Sequence, residues 1–459
     1  MPIRLYDTVS QSLRDLEPRV NGQVGIYVCG PTVQSSPHIG HLRSALVYDL
    51  WRRWLTHRGL KVTLVRNVTD IDDKILAAAG DEEWWALASR VEREFDTCAT
   101  ALGIIPPNIE PRATGHIIDM IALINRLIER GHAYAAEDGT GDVYFSVSSW
   151  PNYGELTRQS PEAVEANAEK GERGKRDPND FALWKGKKKD EPETAAWPSP
   201  WGAGRPGWHI ECSAMATRYL GSGFDIHGGG LDLRFPHHEN ELAQSRAAGD
   251  EFATNWLHNG LVTVNGQKMS KSVGNIIAAS DLLKQTDGQT ARFFLLSSHY
   301  RSTMDVHDGS LAEAGSAWER IRGFARRTAE LVSTPGQIPS EFATAMDDDL
   351  SVPTALAVLH ETVRSGNTAL DAGDSKAATV AAEQVSAMLA VLGLDASDQA
   401  KGSASSRALG TLMDRMIAER NTAREAKDWA TADRIRDDLD AAGITIEDGA
   451  DTTRWSIDG

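Results

Sequence analysis

Four side chains in this 459-residue chain have the chemistry of metal ligands. Cys29 closes a short apolar segment, and Cys212 ends the run Trp208-His209-Ile210-Glu211-Cys212. His237 and Glu241 stand four apart in Pro236-His237-His238-Glu239-Asn240-Glu241, a separation that puts them on one face of a helix. Two thiolates, an imidazole and a carboxylate form a tetrahedral zinc set in which soft ligands dominate. The same residue types also describe two structural cysteines and a solvated helix start. For residues this far apart, spacing alone favours that plainer arrangement. Cys98, on an amphipathic stretch, reads as a core residue.

Two further motifs suit a nucleotide. Pro37-His38-Ile39-Gly40-His41 places two imidazoles around a glycine, where backbone can approach a polyphosphate and a helix start favours negative charge. Lys268-Met269-Ser270-Lys271-Ser272 follows Asn265-Gly266 and precedes Gly274. Two lysines on such a loop suit a pyrophosphate leaving group whose charge grows in the transition state. Either motif alone is a short match, and a Lys-Ser-Lys-Ser loop is usually a solvated turn. Together, in this order, they are hard to attribute to coincidence.

The elements that must position these residues are legible from hydrophobic periodicity. Residues 23–29 read as a strand cut off by Gly30-Pro31, and Leu42, Leu46, Val47, Leu50, Trp51, Trp54 and Leu55 recur at helical spacing up to Arg58-Gly59. Residues 61–66 read as a second strand, so the chain opens with a βαβ unit of a doubly wound parallel sheet. Ligands in such sheets sit beyond the carboxyl ends of the strands, where residues 29–41 and Asn67-Val68-Thr69-Asp70 emerge. A helix is expected over 117–128, a hairpin strand at 142–145, and strands at 224–227 and 257–264 with two helices to 296. Residues 169–190 are dense in charge, and residues 198–207 are rich in Pro, Gly and Trp. Past Val306 the pattern is helical, as in a bundle. Residues 401–406 look like a linker. In the last stretch Leu409, Leu412, Met413, Met416 and Ile417 are expected on one helix face, Trp429, Ile435 and Leu439 on another, and 444–446 with 455–457 as a small sheet.

Composition sets the class. The hydrophobic share is 41% and the charged share 25%, as in an ordinary globular protein of several domains. Three cysteines in so long a chain argue for a reducing, cytoplasmic setting. No apolar run approaches the roughly 18 residues of a membrane helix, and Met1-Pro2-Ile3-Arg4-Leu5-Tyr6-Asp7 carries no signal pattern, so no membrane association is expected. The net charge of -17 speaks against a broadly basic nucleic-acid surface but not against a local one. Candidate basic stretches are residues 170–189, 320–327 and 415–436, each equally readable as a solvated face.

The two nucleotide motifs together resemble those of the class I aminoacyl-tRNA synthetases. The runs Cys29-Gly30-Pro31-Thr32, Asn67-Val68-Thr69-Asp70, Trp208-His209-Ile210-Glu211-Cys212 and Phe235-Pro236-His237-His238-Glu239-Asn240-Glu241 narrow the resemblance to the cysteinyl-tRNA synthetase family, over essentially the whole chain. It implies an α/β fold: a doubly wound, Rossmann-like catalytic domain (residues 1–114 and 206–305) with a connective insertion (115–205), a helical bundle (306–400) and a small mixed α/β anticodon-binding module (401–459). It implies one zinc ion on Cys29, Cys212, His237 and Glu241, and ATP as substrate with Mg2+. It further implies that Gly30, Thr32, Thr69 and Trp208 line the cysteine pocket, that Gly230 and Asp232 border the adenylate, that His38, Gly40 and His41 meet ATP, and that Lys268 and Lys271 meet the pyrophosphate. The expected partners are L-cysteine, ATP and tRNA(Cys), and the expected state is a monomer. Gln34-Ser35-Ser36-Pro37 departs from the aromatic and acidic residues common before the histidine motif, which leaves only that loop's contacts in doubt.

Two rivals share parts of this pattern. A ligase that joins cysteine to glucosaminyl-inositol in mycothiol synthesis has the same zinc set and motifs but lacks the terminal module, whereas this chain continues well past Lys401. A non-catalytic RNA-binding derivative should have lost a histidine, a lysine or a zinc ligand, and none is missing.

Overall fold

A computed structural model describes residues 2–158, 174–270, 273–332, 334–396, 404–448 and 453–457. Its centre is a four-stranded, all-parallel sheet in the order Phe252–Asn259, Gly223–Gly230, Gln23–Val28, Lys61–Arg66. Central parallel strands are buried on both faces and therefore read as apolar runs. Val24, Ile26, Tyr27 and Val28 are all buried, as are Phe224 and Ile226. The crossover helix Ile39–His57 buries the expected Leu42, Leu46, Val47, Leu50, Trp51, Trp54 and Leu55 and ends at Arg58. Register sets Tyr27 beside His227 and Val28 beside Gly228, so two distant segments end at one sheet edge.

The charged stretch 169–190 conceals a strand. Phe181–Gly186 lies inside a second, antiparallel sheet in the order Ala133–Ala135, Val143–Phe145, Phe181–Gly186, Gly204–Pro206. Its Phe181, Ala182, Leu183 and Trp184 are buried, while the flanking lysines that hid the pattern reach outward to carboxylates. The helix Ile117–Glu129 leads into this sheet.

The expected single strand at 257–264 is two strands. Phe252–Asn259 stays in the parallel sheet, and Val262–Val264 joins a three-stranded sheet with Gln267–Lys268 and Met304–Val306. The break is at Gly260, where an added Cβ would stand 2.2 Å from the Ser302 carbonyl oxygen. Only a residue without a side chain lets the two backbones pass so closely. Lys268 accordingly lies in the short strand Gln267–Lys268 and not in a loop. Helices Ala279–Gln285 and Gly288–Leu296 follow, then Ser310–Arg327, Ser340–Asp347, Val352–Asp371 and Ser375–Leu392.

The chain divides into two compact units, Met1–Asp395 and Ala396–Gly459. In the second, helices Ala404–Glu425 and Trp429–Ala441 precede a hairpin that pairs Ile444 with Ile457 and Ile446 with Trp455. Met413, Ile435, Leu439, Ile444 and Ile446 form its core, with Leu409, Met416 and Ile417 packed against them. Two expected core residues face out: Leu412 is 53% exposed and Trp429 58%. The expected linker is shorter than read, since Ala404–Glu425 already includes 404–406; residues 401–403 lie outside the described residues. Among the described residues no helix is long and apolar enough to cross a membrane.

Candidate functional site

A cleft of about 320 Å³ opens beyond the carboxyl ends of the parallel strands. Its wall includes Cys29, Gly30, Thr32, His38, Gly40, His41, Trp208, Gly230, Asp232 and Lys268, so most of the candidate residues meet there. Cys212, His237 and Glu241 stand buried behind Cys29. Thr69 is not on the wall: it is buried, and its hydroxyl donates to Glu211 Oε2 at 2.9 Å. Lys271 lies outside the described residues.

The four metal-type ligands converge. One donor atom each of Cys29, Cys212, His237 and Glu241 lies within 4.8 Å of all the others. Cys29 Sγ is 3.5 Å from Cys212 Sγ across 183 positions of sequence, and both cysteines are free. An ion about 2.3 Å from each of two sulfurs at the tetrahedral angle would hold them about 3.8 Å apart. His237 Nε2 and Cys29 Sγ approach Glu241 Oε1 at 3.1 and 3.2 Å.

Charge explains why this set fits a soft cation. Burial raises both thiols, Cys29 far above its ordinary value and Cys212 to about 11. Burial lowers His237 to about 3, which leaves its lone pair free. Burial would raise Glu241 too, but His227 and His237 outweigh it and bring the carboxylate below its ordinary range. Thiols so disposed ionise only against a cation, and metal binding supplies that charge.

Supporting groups orient the set. His237 Nδ1 is 3.0 Å from His209 Nδ1, and Glu241 Oε2 is 2.8 Å from His227 Nε2. Such partners fix ring orientation and tautomer. His227 and His238, with Cys29 and Glu241, form an overlapping second group of possible ligands. None of His209, His227 or His238 was singled out from sequence. His209 and His238 lie inside the runs that carry the resemblance, and His227 ends the expected strand at 224–227.

Gly30 turns the strand end toward the cleft. Its N–H donates to Asn67 Oδ1 at 2.9 Å, and a Cβ would fall 1.6 Å from the Asn67 carbonyl oxygen. The Thr32 and Thr69 segments also pair, with Thr69 N–H donating to Pro31 O at 3.2 Å.

On the nucleotide side, His38 caps its helix by accepting from Gly40 N–H at 3.1 Å, and His41 Nδ1 accepts from His38 N–H at 3.2 Å. The two rings stack at 3.8 Å. Burial lowers His38 although Asp232 opposes it, and burial with the neighbouring His38 lowers His41 to about 3. Both are therefore neutral, with Nδ1 accepting, so each keeps an Nε2–H as its donor. This turn is stitched to the segment after the lysine motif: Ile39 N–H donates to Ile277 O at 3.1 Å and Ala279 N–H to Pro37 O at 2.8 Å.

Several cations of the candidate basic stretches are paired within the protein. Lys185 pairs with Asp73, Lys187 with Glu193, Arg322 with Asp287, Arg327 with Asp371 and Arg434 with Asp438. Residues 170–173 lie outside the described residues.

Comparison with known proteins gives the family. Residues 15–316 match the family described as tRNA synthetases class I (C) catalytic domain, 341–397 a DALR domain, and 407–455 a cysteinyl-tRNA ligase anticodon binding domain. The chain is 62% identical to the cysteine–tRNA ligase of Clavibacter michiganensis subsp. michiganensis over 487 residues, covering all of both chains. It is likewise 62% identical to that of Leifsonia xyli subsp. xyli over 476 residues, again covering all of both. Among solved structures it resembles Mycobacterium tuberculosis methionyl-tRNA synthetase, with TM-score 0.56 at 16% identity over 81% of this chain and 89% of that one. It also resembles LeuRS of Agrobacterium radiobacter K84, with TM-score 0.59 at 11% identity over 82% and 84%. These likenesses concern the fold. By the match over the catalytic domain and the full-length relatives, the chain belongs to the cysteine–tRNA ligase family of class I tRNA synthetases.

Proposed function

We propose that the protein activates L-cysteine with ATP, releasing pyrophosphate, and transfers the cysteinyl group to the 3′ terminal adenosine of tRNA(Cys). The observation that carries this reading is that one cleft joins a Cys-Cys-His-Glu set to a pair of neutral histidine donors at a helix start. The residues present fit a zinc ion held by Cys29, Cys212, His237 and Glu241. Such an ion would take the thiolate of cysteine and pass over serine, a discrimination that pocket shape alone makes poorly.

The protein's own groups account for the rest. His38 and His41 offer Nε2–H donors to the phosphates and the adenosine without adding charge. Lys268 on the cleft wall and Lys271 from the same motif balance the charge that builds on the departing pyrophosphate, a charge that Mg2+ would also help to neutralise. Gly30 and Thr32 border the cysteine beside the metal set, Trp208 covers it, and Gly230 and Asp232 border the adenylate. Thr69 acts from behind the wall, bridging Asn67 and Glu211. No side chain serves as a covalent nucleophile, so the rate comes from positioning and charge stabilisation. The unit at 396–459 reads the anticodon, and the chain works as a monomer in the reducing cytosol.

The test is charging of cysteine tRNA by the purified protein with ATP and zinc, with serine in a parallel reaction. Charging with cysteine and not serine is expected. Cysteine-dependent pyrophosphate exchange without charging would overturn the tRNA step in favour of the amino-sugar ligase.

A further inference from the structure

Lys74 follows the cap residue Asp72 at the start of the short helix Asp73–Ala79, on the metal side of the cleft. Its ammonium stands 5.4 Å from the centre of the Trp208 ring. The Trp208 ring in turn stacks on His237 at 4.1 Å and an interplanar angle of 18°. The cation is thus one aromatic ring away from the metal set. Among the described residues its ammonium has no hydrogen bond or ion pair. Of the adjacent carboxylates, Asp73 pairs with Lys185 and Arg205, while Asp72 accepts the Lys74 backbone N–H on Oδ1 at 2.9 Å and attracts the Lys74 charge without forming an ion pair with it.

The other groups along the cleft do not duplicate this charge. Arg66 is spent on Glu110, with both Nε and Nη2 donating to Oε1 at 3.0 and 2.6 Å. His38 and His41 are neutral. Lys268 stands with the nucleotide motif. A cysteine whose thiol faces the metal set carries its carboxylate about 4–5 Å away, between that set and the phosphates. That carboxylate must leave water and approach the α-phosphate, a like charge, and both steps are costly without a cation nearby.

We infer that Lys74 is a substrate-binding residue, whose ammonium receives the carboxylate of cysteine and holds it for attack on ATP. This rests on the cysteine-activating function proposed above. Trp208 acts as the platform that keeps the lysine stem over the pocket, a cation–π contact that does not use up its donors.

The test compares two ligands on the zinc-loaded protein: cysteine, and cysteamine, which has the same thiol and amine but no carboxylate. Lys74→Met is expected to weaken cysteine binding about tenfold, the scale of one partly exposed charge-assisted hydrogen bond. Cysteamine binding should stay within about twofold, and Lys74→Arg should recover part of the loss. Equal losses for both ligands would overturn the inference and make Lys74 a support for Trp208. An unchanged cysteine affinity with a raised KM for tRNA would also overturn it. Failure of the parent protein to catalyse cysteine-dependent pyrophosphate exchange would instead defeat the underlying function, so the two failures are distinguishable.

Discussion

At the scale of single residues, the site depends on atoms rather than shapes. Replacing sulfur by oxygen in Cys212→Ser keeps the volume but removes a soft ligand from the buried set. The variant should lose zinc and activity together, read as metal content per chain beside pyrophosphate exchange; full zinc occupancy would remove Cys212 from the ligand set. Lys271→Ala should keep cysteine binding but lower adenylate formation on the order of a hundredfold, the usual effect of removing one transition-state charge partner. Near-parental exchange would end its assignment to pyrophosphate. Thr69, which the resemblance puts in the cysteine pocket, has its hydroxyl turned to Glu211, a carboxylate that is itself fully buried.

At the scale of elements, the antiparallel sheet is tied to the edge of the cleft by one buried cation. Arg205, on the strand Gly204–Pro206, donates to Glu191 Oε2 at 2.7 Å and Oε1 at 2.9 Å and also pairs with Asp73, the residue before Lys74. Removing one partner of a buried pair strands the others, although the partial exposure of Asp73 softens the cost. Arg205→Ala should therefore destabilise the protein by about 2–3 kcal/mol, seen as a lower denaturant midpoint with unchanged slope, and Arg205→Lys by less. An unaltered midpoint would show that apolar packing alone holds the sheet. Lys185 still pairs with Asp73 in that variant, at 2.7 Å, so the anchor of the helix that carries Lys74 is weakened rather than lost.

At the scale of the whole molecule, a cluster of buried imidazoles sets the acid limit. Burial lowers His209 and His258 to about 3 each, and His238 well below its ordinary value. The unfolded chain binds protons at these sites from about pH 6.5 downward while the folded one does not. Their neutral state is thus accommodated in full above that pH, and stability falls as pH drops toward 3. At pH 5 His209 and His258 each cost on the order of 2 kcal/mol, and His238 adds to the loss in the same direction. Unfolding followed at about pH 7.5 and 5 with metal chelated should show a clear loss; equal stability would mean that the imidazoles are not held neutral. Much of this architecture was legible without coordinates. The helix Ile39–His57 and the strands Gln23–Val28 and Lys61–Arg66 follow from apolar spacing, a local property that every residue in the element carries. Both motifs proposed to meet the nucleotide were visible for the same reason, since each is a run of a few consecutive residues. The strand Phe181–Gly186 was not, because its buried run is short and framed by lysines that pair elsewhere. Nor could spacing bring Cys29, Cys212, His237 and Glu241 together, set the Tyr27 ring beside His227, or lay Lys74 over Trp208. Those meetings depend on which strands become neighbours in a parallel sheet. Long crossovers and the burial of the whole core decide that, and no local pattern encodes it.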